Sequence, residues 1–451
     1  MASTSLYRTE SAGSRTTFTW SAWVKRSKSG SSQFLASCSY SASDEAYFFF
    51  NGGDKLIWQS SSASYGDVQT NRLFRDTNAW YHIVLAVDTT QATASNRIRF
   101  YVNGVEETSF STANYPNQNT QVYWNVGGTY YPRIGKRHAN ADNFDGSMSH
   151  VVHIDGTQEL PTIFGETDST TGEWKIKTSI TPSVGWGTNG YHILKDGNSL
   201  TDQSGQGNNW TAIGTLTKTE DNPSNVFATF NRNISQTAGT SGRESSSSSY
   251  MDYGNTRVGA GAAFFTSQLG TIFAKTGKYY FEVKGSGDNY QSVGICNPNF
   301  SDASLGSAIG GVSTTGVNNI GIYSINGQVR KSGSVQYTGS TFASQTVCVA
   351  MDLDNGFCYF RLDSGSWMNS GNPESGATGT GGVAITPDFY TFGVTGHNNG
   401  GATKYMSANF GNGYFGTTAV SSAGTNASGN GIFEYDVPTG YTALSTKGLN
   451  L

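Results

Sequence analysis

Short stretches in which apolar and polar positions alternate dominate the chain, and they predict β-strands. Residues 17–24 alternate large apolar side chains with small or polar ones, and residues 98–102 do the same before Asn103-Gly104. Alternation places successive side chains on opposite faces of a sheet, and Asn-Gly after such a run is a strong hairpin signal. Residues 80–87 form a nearly continuous apolar run, which predicts a strand buried on both faces. No stretch longer than ten residues has a helical period.

A second strand-rich block spans residues 277–415, with hairpin signals at Asn326-Gly327 and Asn355-Gly356. Between the two blocks, prolines and turn-forming residues are frequent, and a tract of five serines has the composition of a flexible linker. A Gly-, Ser- and Ala-rich spacer follows the second block. The order of these regions predicts two β-rich domains with a connector.

Composition supports this fold class and narrows the function. The 451 residues include 57 glycines, 13% aromatic residues and only 13% charged residues, so good surface helix formers are scarce while strand formers are common. The net charge of −4 lacks the basic footprint of a nucleic-acid binder. No apolar run approaches the ~18 residues of a membrane span, and the N-terminus lacks the apolar region of a secretory signal. We therefore expect no nucleic-acid partner, no membrane insertion and no signal peptide.

The four cysteines are too few for a disulfide scaffold in a chain of this length. Cys348 and Cys358 flank a predicted hairpin turn, and their numbering places them on opposite faces of the paired strands. We expect four thiols and folding in a reducing cytoplasm.

The first strand-rich block resembles a laminin-G-type, concanavalin A-like lectin domain. The resemblance lies in residues 19–26, 80–88, 99–104 and 144–149. The second block resembles a SPRY (B30.2-like) domain in residues 277–283, 292–295, 321–323, 349–356 and 408–411. The resemblance implies an all-β fold of two tandem concanavalin A-like/SPRY β-sandwiches joined by a Gly/Ser/Pro-containing connector.

The expected division follows from these blocks. It comprises a lectin sandwich in residues 1–158, a connector with short strands and a Ser-rich linker in 159–250, a SPRY-like sandwich in 251–416 and a C-terminal segment in 417–451. The tandem order, with residues 202–211, 221–225 and 437–444, resembles structural proteins of marine tailed bacteriophages. That resemblance implies a virion surface protein made in the bacterial host cytoplasm.

Aromatic residues in predicted loops are the best candidates for glycan contacts, because a sugar stacks its apolar face on an aromatic ring while amides bind its hydroxyls. Packing in the core or at an interface explains them equally well. The candidates are Tyr123, Trp124, Asn125, Tyr130, Tyr131, Arg133, Trp367 and Asn369.

Asp142, Asn143 and Asp145 offer oxygen ligands that suit a structural Ca²⁺, and a polar turn before the next strand is the alternative reading. We expect no other cofactor. Nearby, Arg133, Lys136, Arg137 and His138 form a short basic patch, either a solvated face or an anion contact.

Nothing in the sequence predicts catalysis. Glu106 and Glu107 are adjacent and would face opposite ways, whereas glycosidases need two carboxyl groups on one face. Asp352 and Asp354 lie at a hairpin turn, where Asp commonly caps backbone N–H groups. His82 lies in a buried-strand pattern, which favours a hydrogen-bonded core histidine over a general base. We therefore expect no enzyme, and a polysaccharide depolymerase is the lower-ranked alternative.

The sequence thus predicts adhesion, or receptor or glycan binding, as a tail fibre component, with capsid head decoration (a cement or head-fibre protein) as the alternative. Expected partners are other virion proteins and host-surface or environmental glycans. Large aromatics in the connecting segments predict a homo-oligomer, by resemblance a trimer, unless they fold back on their own sandwiches. They are Trp174, Trp186, Trp210, Phe227, Phe433 and Tyr435.

Overall fold

The chain divides into two compact units, Met1–Lys218 and Thr219–Leu451. The computed structural model describes residues 4–39, 41, 44–60, 65–128, 131–137, 142–195, 199–232, 236–237, 249–260, 266–286, 291–300, 308–396 and 404–450. The units differ from the division expected from the sequence. The described part of the expected connector is shared between them, and residues 417–450 belong to the second unit.

The regular secondary structure of the first unit consists almost entirely of β-strands. They are β1 (Ser5–Tyr7), β2 (Thr17–Arg26), β3 (Gln33–Ser39), β4 (Glu45–Phe50), β5 (Lys55–Ser60), β6 (Asp67–Leu73), β7 (Trp80–Asp88), β8 (Ile98–Val102), β9 (Val105–Glu107), β10 (Phe110–Asn114), β11 (Arg133–Ile134), β12 (Gly146–Asp155), β13 (Gly165–Thr167), β14 (Trp174–Ile176), β15 (Tyr191–Ile193) and β16 (Thr211–Ile213). Short 3₁₀ helices lie at Ala94–Asn96 and Pro161–Ile163.

Two antiparallel sheets form a sandwich in this unit. The larger has the strand order β10-β6-β5-β4-β3-β11-β1-β16, and the smaller β15-β12-β2-β7-β8-β9. The sequence predicts that the lectin sandwich ends at residue 158. β15 and β16 come later in the chain, yet each of them is an edge strand of one of the two sheets. Residues 191–193 and 211–213 are therefore part of the sandwich, because its two sheets are incomplete without these strands.

The sequence prediction of a strand buried on both faces is confirmed for β7. Ile83, Leu85 and Val87 face the core between the sheets, whereas Val84 and Ala86 face the opposite side. All five are fully buried. On that opposite side the chain after β12 covers the sheet with Phe164, Ile163, Ile180 and Trp186. This cover explains why an outer strand face can be apolar.

Arg8 joins the strand β1 to the later segment that contains β15. The side chain is 6% exposed, and its guanidinium donates to the Asn189 carbonyl (3.1 Å) and to Asn208 Oδ1 (2.9 Å). Its Cζ lies 5.7 Å from the ring centroid of Tyr191 and 5.8 Å from that of Trp210. Hydrogen bonds and cation–π contacts from Arg8 thus hold this segment in place.

The second unit is also a sandwich. Its strands are β17 (Gln236–Thr237), β18 (Ser249–Asp252), β19 (Arg257–Ala260), β20 (Thr266–Leu269), β21 (Lys278–Gly285), β22 (Ser292–Cys296), β23 (Asn319–Tyr323), β24 (Gln328–Lys331), β25 (Ser334–Thr338), β26 (Thr346–Asp352), β27 (Phe357–Leu362), β28 (Val383–Ala384), β29 (Thr391–Gly396), β30 (Lys404–Asn409), β31 (Tyr414–Phe415), β32 (Thr418–Ala419) and β33 (Thr442–Ala443). Short 3₁₀ helices lie at Met368–Ser370, Pro373–Thr378 and Gly448–Asn450. No described helix in the chain is long and apolar enough to cross a membrane.

Its sheets run β17-β20-β29-β22-β23-β24-β25 and β18-β19-β30-β21-β26-β27-β28, and β33 pairs in parallel with β21. The core between them contains Phe281, Val349, Phe360 and Phe392. Met351 pairs with Cys358, and Cys348 pairs with Arg361 across the β26–β27 hairpin. Cys358 faces the core and Cys348 the other side, as the sequence predicted. All four cysteines are buried thiols without a disulfide.

The C-terminal segment covers the outer face of the second of these sheets. Phe433, Val437 and Tyr441 pack there against Tyr280 and Ala350. A buried carboxylate, Glu282, holds the segment because it accepts hydrogen bonds from the backbone N–H groups of Glu434 (2.9 Å) and Tyr435 (2.8 Å). Tyr280 and Asn409 donate to the same carboxylate. Burial raises the pKa of Glu282 to about 7.

The aromatic residues that suggested an oligomer interface are covered within their own units. Trp210 is 5% exposed, and Phe227 and Phe433 are each 1% exposed. Trp174 donates its Nε1–H to His82 (3.0 Å), while Trp186 and Tyr435 pack half-buried against apolar clusters. These side chains fold back on their own sandwiches, so they give no reason to expect a trimer.

We predict that Glu282 makes stability depend on pH. Between about pH 4.5 and 7 the folded chain retains a proton that the unfolded chain has released. The free energy of unfolding should therefore fall as pH rises through this window, by about 3 kcal/mol in total. Glu282→Gln should remove that slope in urea unfolding curves recorded from pH 4.5 to 8.

Glu220→Gln is the control, because it removes a half-buried carboxylate from the same unit. A slope that persists unchanged in Glu282→Gln would contradict the prediction.

Candidate functional site

The outer face of the eight-stranded sheet in the first unit carries a continuous row of polar and aromatic residues. Strand register sets the row: Tyr7 pairs with Arg133, Arg133 with Ser37, Ser37 with Tyr47, Tyr47 with Gln59, and Gln59 with Asp67. Adjacent strands lie ~4.8 Å apart, so the row crosses six strands and about 24 Å. Their neighbours Leu6, Ile134 and Phe48 face the core instead.

Two tyrosines and an arginine form the half-exposed end of this row. The ring centroids of Tyr7 and Tyr131 lie 5.7 Å apart at 56°, and Arg133 Cζ lies 5.4 Å from the Tyr7 centroid. All three side chains are half-buried. Burial lowers the pKa of Arg133, although the nearby tyrosines oppose this shift. The cluster offers two differently inclined rings beside a positive charge.

The middle of the row is an internally neutralised group. Arg137 donates to Tyr47 Oη (2.7 Å) and to Glu45 Oε2 (3.2 Å), and its Cζ lies 4.6 Å from the Tyr47 centroid. Tyr47 also donates a short hydrogen bond to Glu45. Burial raises the pKa of Tyr47 to about 12, so this hydroxyl stays protonated.

A buried apolar row lies beside this group on the same outer face. Phe34 and Phe49 stack with centroids 4.5 Å apart and planes inclined by 2°, and Tyr47 and Ile57 pack with them. These side chains are 3–8% exposed. They support the polar row and present little surface of their own.

The structure removes two sequence candidates from the surface. Trp124 is 5% exposed in the core, with its ring 5.4 Å from that of Phe18. Asn125 is 1% exposed and donates to the Ser14 carbonyl (2.9 Å) and to Asp155 Oδ1 (3.0 Å). Both are therefore packing residues, which corrects the expectation that they contact a glycan.

The remaining candidates lie in different places. Tyr131 and Arg133 belong to the cluster above, whereas half-buried Tyr123 packs against Tyr65, with centroids 4.7 Å apart. Tyr130 lies outside the described residues. Trp367 and Asn369 belong to the second unit. Arg361 Cζ lies 4.7 Å from the ring centroid of Trp367, and the exposed side chain of Asn369 donates to the Gly381 carbonyl. The sequence-predicted residues thus do not form one site.

The segment proposed for calcium immediately precedes β12. The backbone of Asn143 forms an isolated antiparallel β-bridge with that of Lys136. The Asp145 carbonyl accepts a hydrogen bond from the Ser27 N–H (2.9 Å). The carbonyl of Asp142, the third candidate ligand, accepts from the Arg137 N–H. Within the described part of the chain, no group of three His, Cys, Asp or Glu side chains could hold a metal ion. The calcium site therefore remains a prediction from the sequence.

His82 is a hydrogen-bonded core histidine, as predicted. Its Nδ1 accepts from Trp174 Nε1, so the ring proton lies on Nε2, which faces Ser21 Oγ at 2.9 Å. In this tautomer Nε2 donates to the serine and cannot take its proton. Burial also lowers the pKa of His82 to about 3. The pair therefore cannot work as a nucleophile with its general base.

The carboxylates that the sequence offers as candidates for catalysis form ion pairs or cap backbone N–H groups. Glu106 pairs with Arg99 and Glu107 with Arg72, on opposite faces of their strand. Asp352 is fully buried against Lys278 and accepts from the Asn355 N–H (2.9 Å). Asp354 accepts from the Gly277 N–H (2.7 Å). These contacts agree with the capping roles expected at the turn.

The sequence of the first unit matches a known family. Residues 3–158 match the family described as "Concanavalin A-like lectin/glucanases superfamily", which confirms the lectin-like resemblance of this block. No curated protein sequence matches the chain.

Solved structures similar to the chain include two SPRY domains and a pentraxin. The SPRY domain of human HERC1 is 11% identical, with 40% of this chain and 96% of that one covered and a TM-score of 0.29. The TRIM65 PSpry domain is 14% identical, with 40% and 88% covered and a TM-score of 0.29. A native heptameric SAP-like pentraxin from Limulus polyphemus is 14% identical, with 35% and 71% covered and a TM-score of 0.27. No functional conclusion follows from these likenesses.

Sequence reasoning missed Tyr7, Tyr47 and Gln59. Each alternates with a core residue in its strand, a signal that shows an outward side chain but not its neighbours. The register that places them in one row joins strands distant in sequence. Only the paired sheet reveals the site.

We predict that Asn125 stabilises the fold. Asn125→Ala should lower the free energy of unfolding in urea by about 2–4 kcal/mol, because it leaves buried partners unsatisfied. Asn125→Gly should also be destabilised, although glycine suits the local φ of 56°. Exposed Gln121→Ala is the control, with an expected change within about 0.5 kcal/mol. Unchanged stability of both Asn125 variants would contradict the structural role.

Proposed function

We propose that the protein is a non-enzymatic adhesion protein that binds glycans on the outer face of the eight-stranded sheet. The observation that carries this proposal is the cluster of Tyr7, Tyr131 and Arg133. It lies in a unit whose sequence matches a family of lectins and glucanases. The lectin-like fold itself suggests carbohydrate binding or adhesion.

The chemistry of the cluster suits sugars. Pyranose rings pack their C–H faces on tyrosine rings, and polar groups around them bind hydroxyls. Neither the Tyr7 nor the Tyr131 hydroxyl has a hydrogen-bond partner among the described residues, so both are available to a ligand. Gln59, further along the row, is half-buried and adds an amide. Ser37 and Tyr47, which lie between the cluster and Gln59, are only 1% and 6% exposed, so the cluster itself is the part of the row that would contact a sugar.

We propose binding without hydrolysis, and the partners of two carboxylates on this face support that choice. A glycosidase holds two carboxyl groups ~5–9.5 Å apart around the scissile bond. Here Glu45 is bound by Arg137 and Tyr47, and Asp67 accepts from Gln69 Nε2 (3.1 Å). These contacts support a binding role over a depolymerase.

We further propose a virion surface setting, on the basis of the resemblance to tailed-phage structural proteins. A tail fibre component that attaches to host or environmental glycans is the first choice, and a capsid decoration protein the second. The protein would be made in the host cytoplasm and assemble with other virion proteins. A homotrimer belongs to the tail-fibre setting and rests on that resemblance alone.

Glycan binding should depend on the two tyrosines. We expect the purified full chain to bind members of a glycan array, and Tyr7→Ala and Tyr131→Ala each to weaken the best ligand at least tenfold in calorimetry. Tyr414→Ala, at a half-buried tyrosine of the second unit, should leave affinity unchanged. The same incubations should release no new reducing ends. The proposal would be contradicted if no glycan on the array bound the chain. It would also be contradicted if Tyr7→Ala and Tyr131→Ala both bound the best ligand as tightly as the unsubstituted chain does.

The virion setting has its own test. Mass spectrometry of purified particles should detect the chain, and immunogold labelling should mark tail tips if it is a fibre or the capsid if it decorates heads. Light scattering should give three times the 48.1 kDa protomer mass if the trimer forms. Absence from purified particles would overturn the virion assignment without affecting glycan binding.

A further inference from the structure

We infer that the Tyr7–Tyr131–Arg133 cluster binds an acidic glycan, with the Arg133 guanidinium pairing with a carboxylate or sulfate group of the sugar. This inference rests on the proposed function and names its ligand class. The observation behind it is that the Arg133 guanidinium has no counter-ion among the residues that the structure describes.

The side chain of Arg133 has neither an ion pair nor a hydrogen bond to the described residues, and its Nε is buried without a hydrogen-bond partner. Arg26, Arg99 and Arg137 of the same unit pair with Asp54, Glu106 and Glu45. Arg8 and Arg97 form no ion pair with the described residues, but their guanidinium groups donate hydrogen bonds to backbone carbonyls, which Arg133 does not do. The ring of Tyr7 replaces only part of the hydration that this guanidinium loses on burial, and burial lowers its pKa even though Tyr7 and Tyr131 oppose the shift. The surroundings of Arg133 therefore favour the binding of an anionic group.

The surroundings of Arg133 add positive charge and no competing carboxylate along the chain. Residues 126–141 contain no Asp or Glu, and the next acidic residue along the chain is Asp142. Lys136 is the added positive charge, because Arg137 is neutralised within its own group. Glu45, the carboxylate that faces this part of the sheet, is taken by Arg137. An anion bound at Arg133 would thus meet little repulsion from its own segment.

The two tyrosine rings would orient the acidic group of a bound sugar toward the guanidinium. A sugar stacked on Tyr7 or Tyr131 would carry its acidic substituent beside the guanidinium, whose planar fork binds the two oxygens of a carboxylate or sulfate together. A lysine at this position would supply charge without that fork. Neutral sugars would use the rings alone and bind more weakly.

The experiment compares matched polymers that differ only in charge. We would measure binding of the full chain to polygalacturonate against its fully methyl-esterified form, and to dextran sulfate against dextran. At about 10 mM salt we expect at least tenfold tighter binding to each charged polymer. This preference should shrink at about 1 M salt, where the Debye length falls to ~3 Å.

Arg133→Gln should abolish the preference for charged polymers while retaining neutral binding, and Arg133→Lys should restore only part of it. Arg99→Gln is the matched control, since Arg99 Cζ lies 5.4 Å from the Tyr101 centroid, the same distance as in the cluster, but is paired with Glu106. It removes one positive charge from the same unit and should keep the preference. Circular dichroism and thermal unfolding would establish that each variant is folded.

Several outcomes would overturn the inference. Equal affinity for charged and neutral polymers, or an unchanged preference in Arg133→Gln, overturns it while glycan binding stands. If the preference for charged polymers fell as much in Arg99→Gln as in Arg133→Gln, that result would show a general effect of net charge and would overturn the assignment of anion binding to Arg133. If none of the four polymers binds, the inference fails, and the glycan array decides separately whether the proposed function fails too.

Discussion

Both units depend on covering the outer face of a sheet whose strands are apolar on both sides. Val84 and Ala86 in β7, and Tyr280 and Ala350 in the second unit, point away from the core between the sheets, where exposure to water would be unfavourable. In each unit a later stretch of chain supplies the cover. Segments that look like linkers by composition are thus integral parts of the sandwiches.

Polar contacts fix where these covering and completing segments lie. Arg8, between Tyr191 and Trp210, holds the last part of the first unit against β1, and Glu282 holds the C-terminal segment through two backbone N–H groups. Apolar burial is non-directional, so it stabilises such segments without specifying their register. Directed hydrogen bonds to buried charged or ionisable groups supply that specificity.

The candidate site arises from the same geometry. On the eight-stranded sheet the outer face carries stacked aromatics in its centre and the half-exposed Tyr7, Tyr131 and Arg133 at one end. Paired charges such as Arg137 and Glu45 are structural, because each satisfies the other. An arginine that lacks such a partner is a better indication of ligand binding than the presence of charge itself.

The sequence alone determined the all-β class, the doubly buried strand β7, the hairpin at Asn103-Gly104 and the opposite orientation of Cys348 and Cys358, because strand alternation and turn chemistry are local. It could not distinguish Trp124, which is in the core, from Tyr131, which is half-exposed, since both stand in similar aromatic loops. Nor could it show that β15 and β16 complete the two sheets of the first sandwich. Tertiary structure decided these points, because cross-strand pairing joins residues as distant as Tyr7 and Arg133, and the cover of a side chain depends on that pairing.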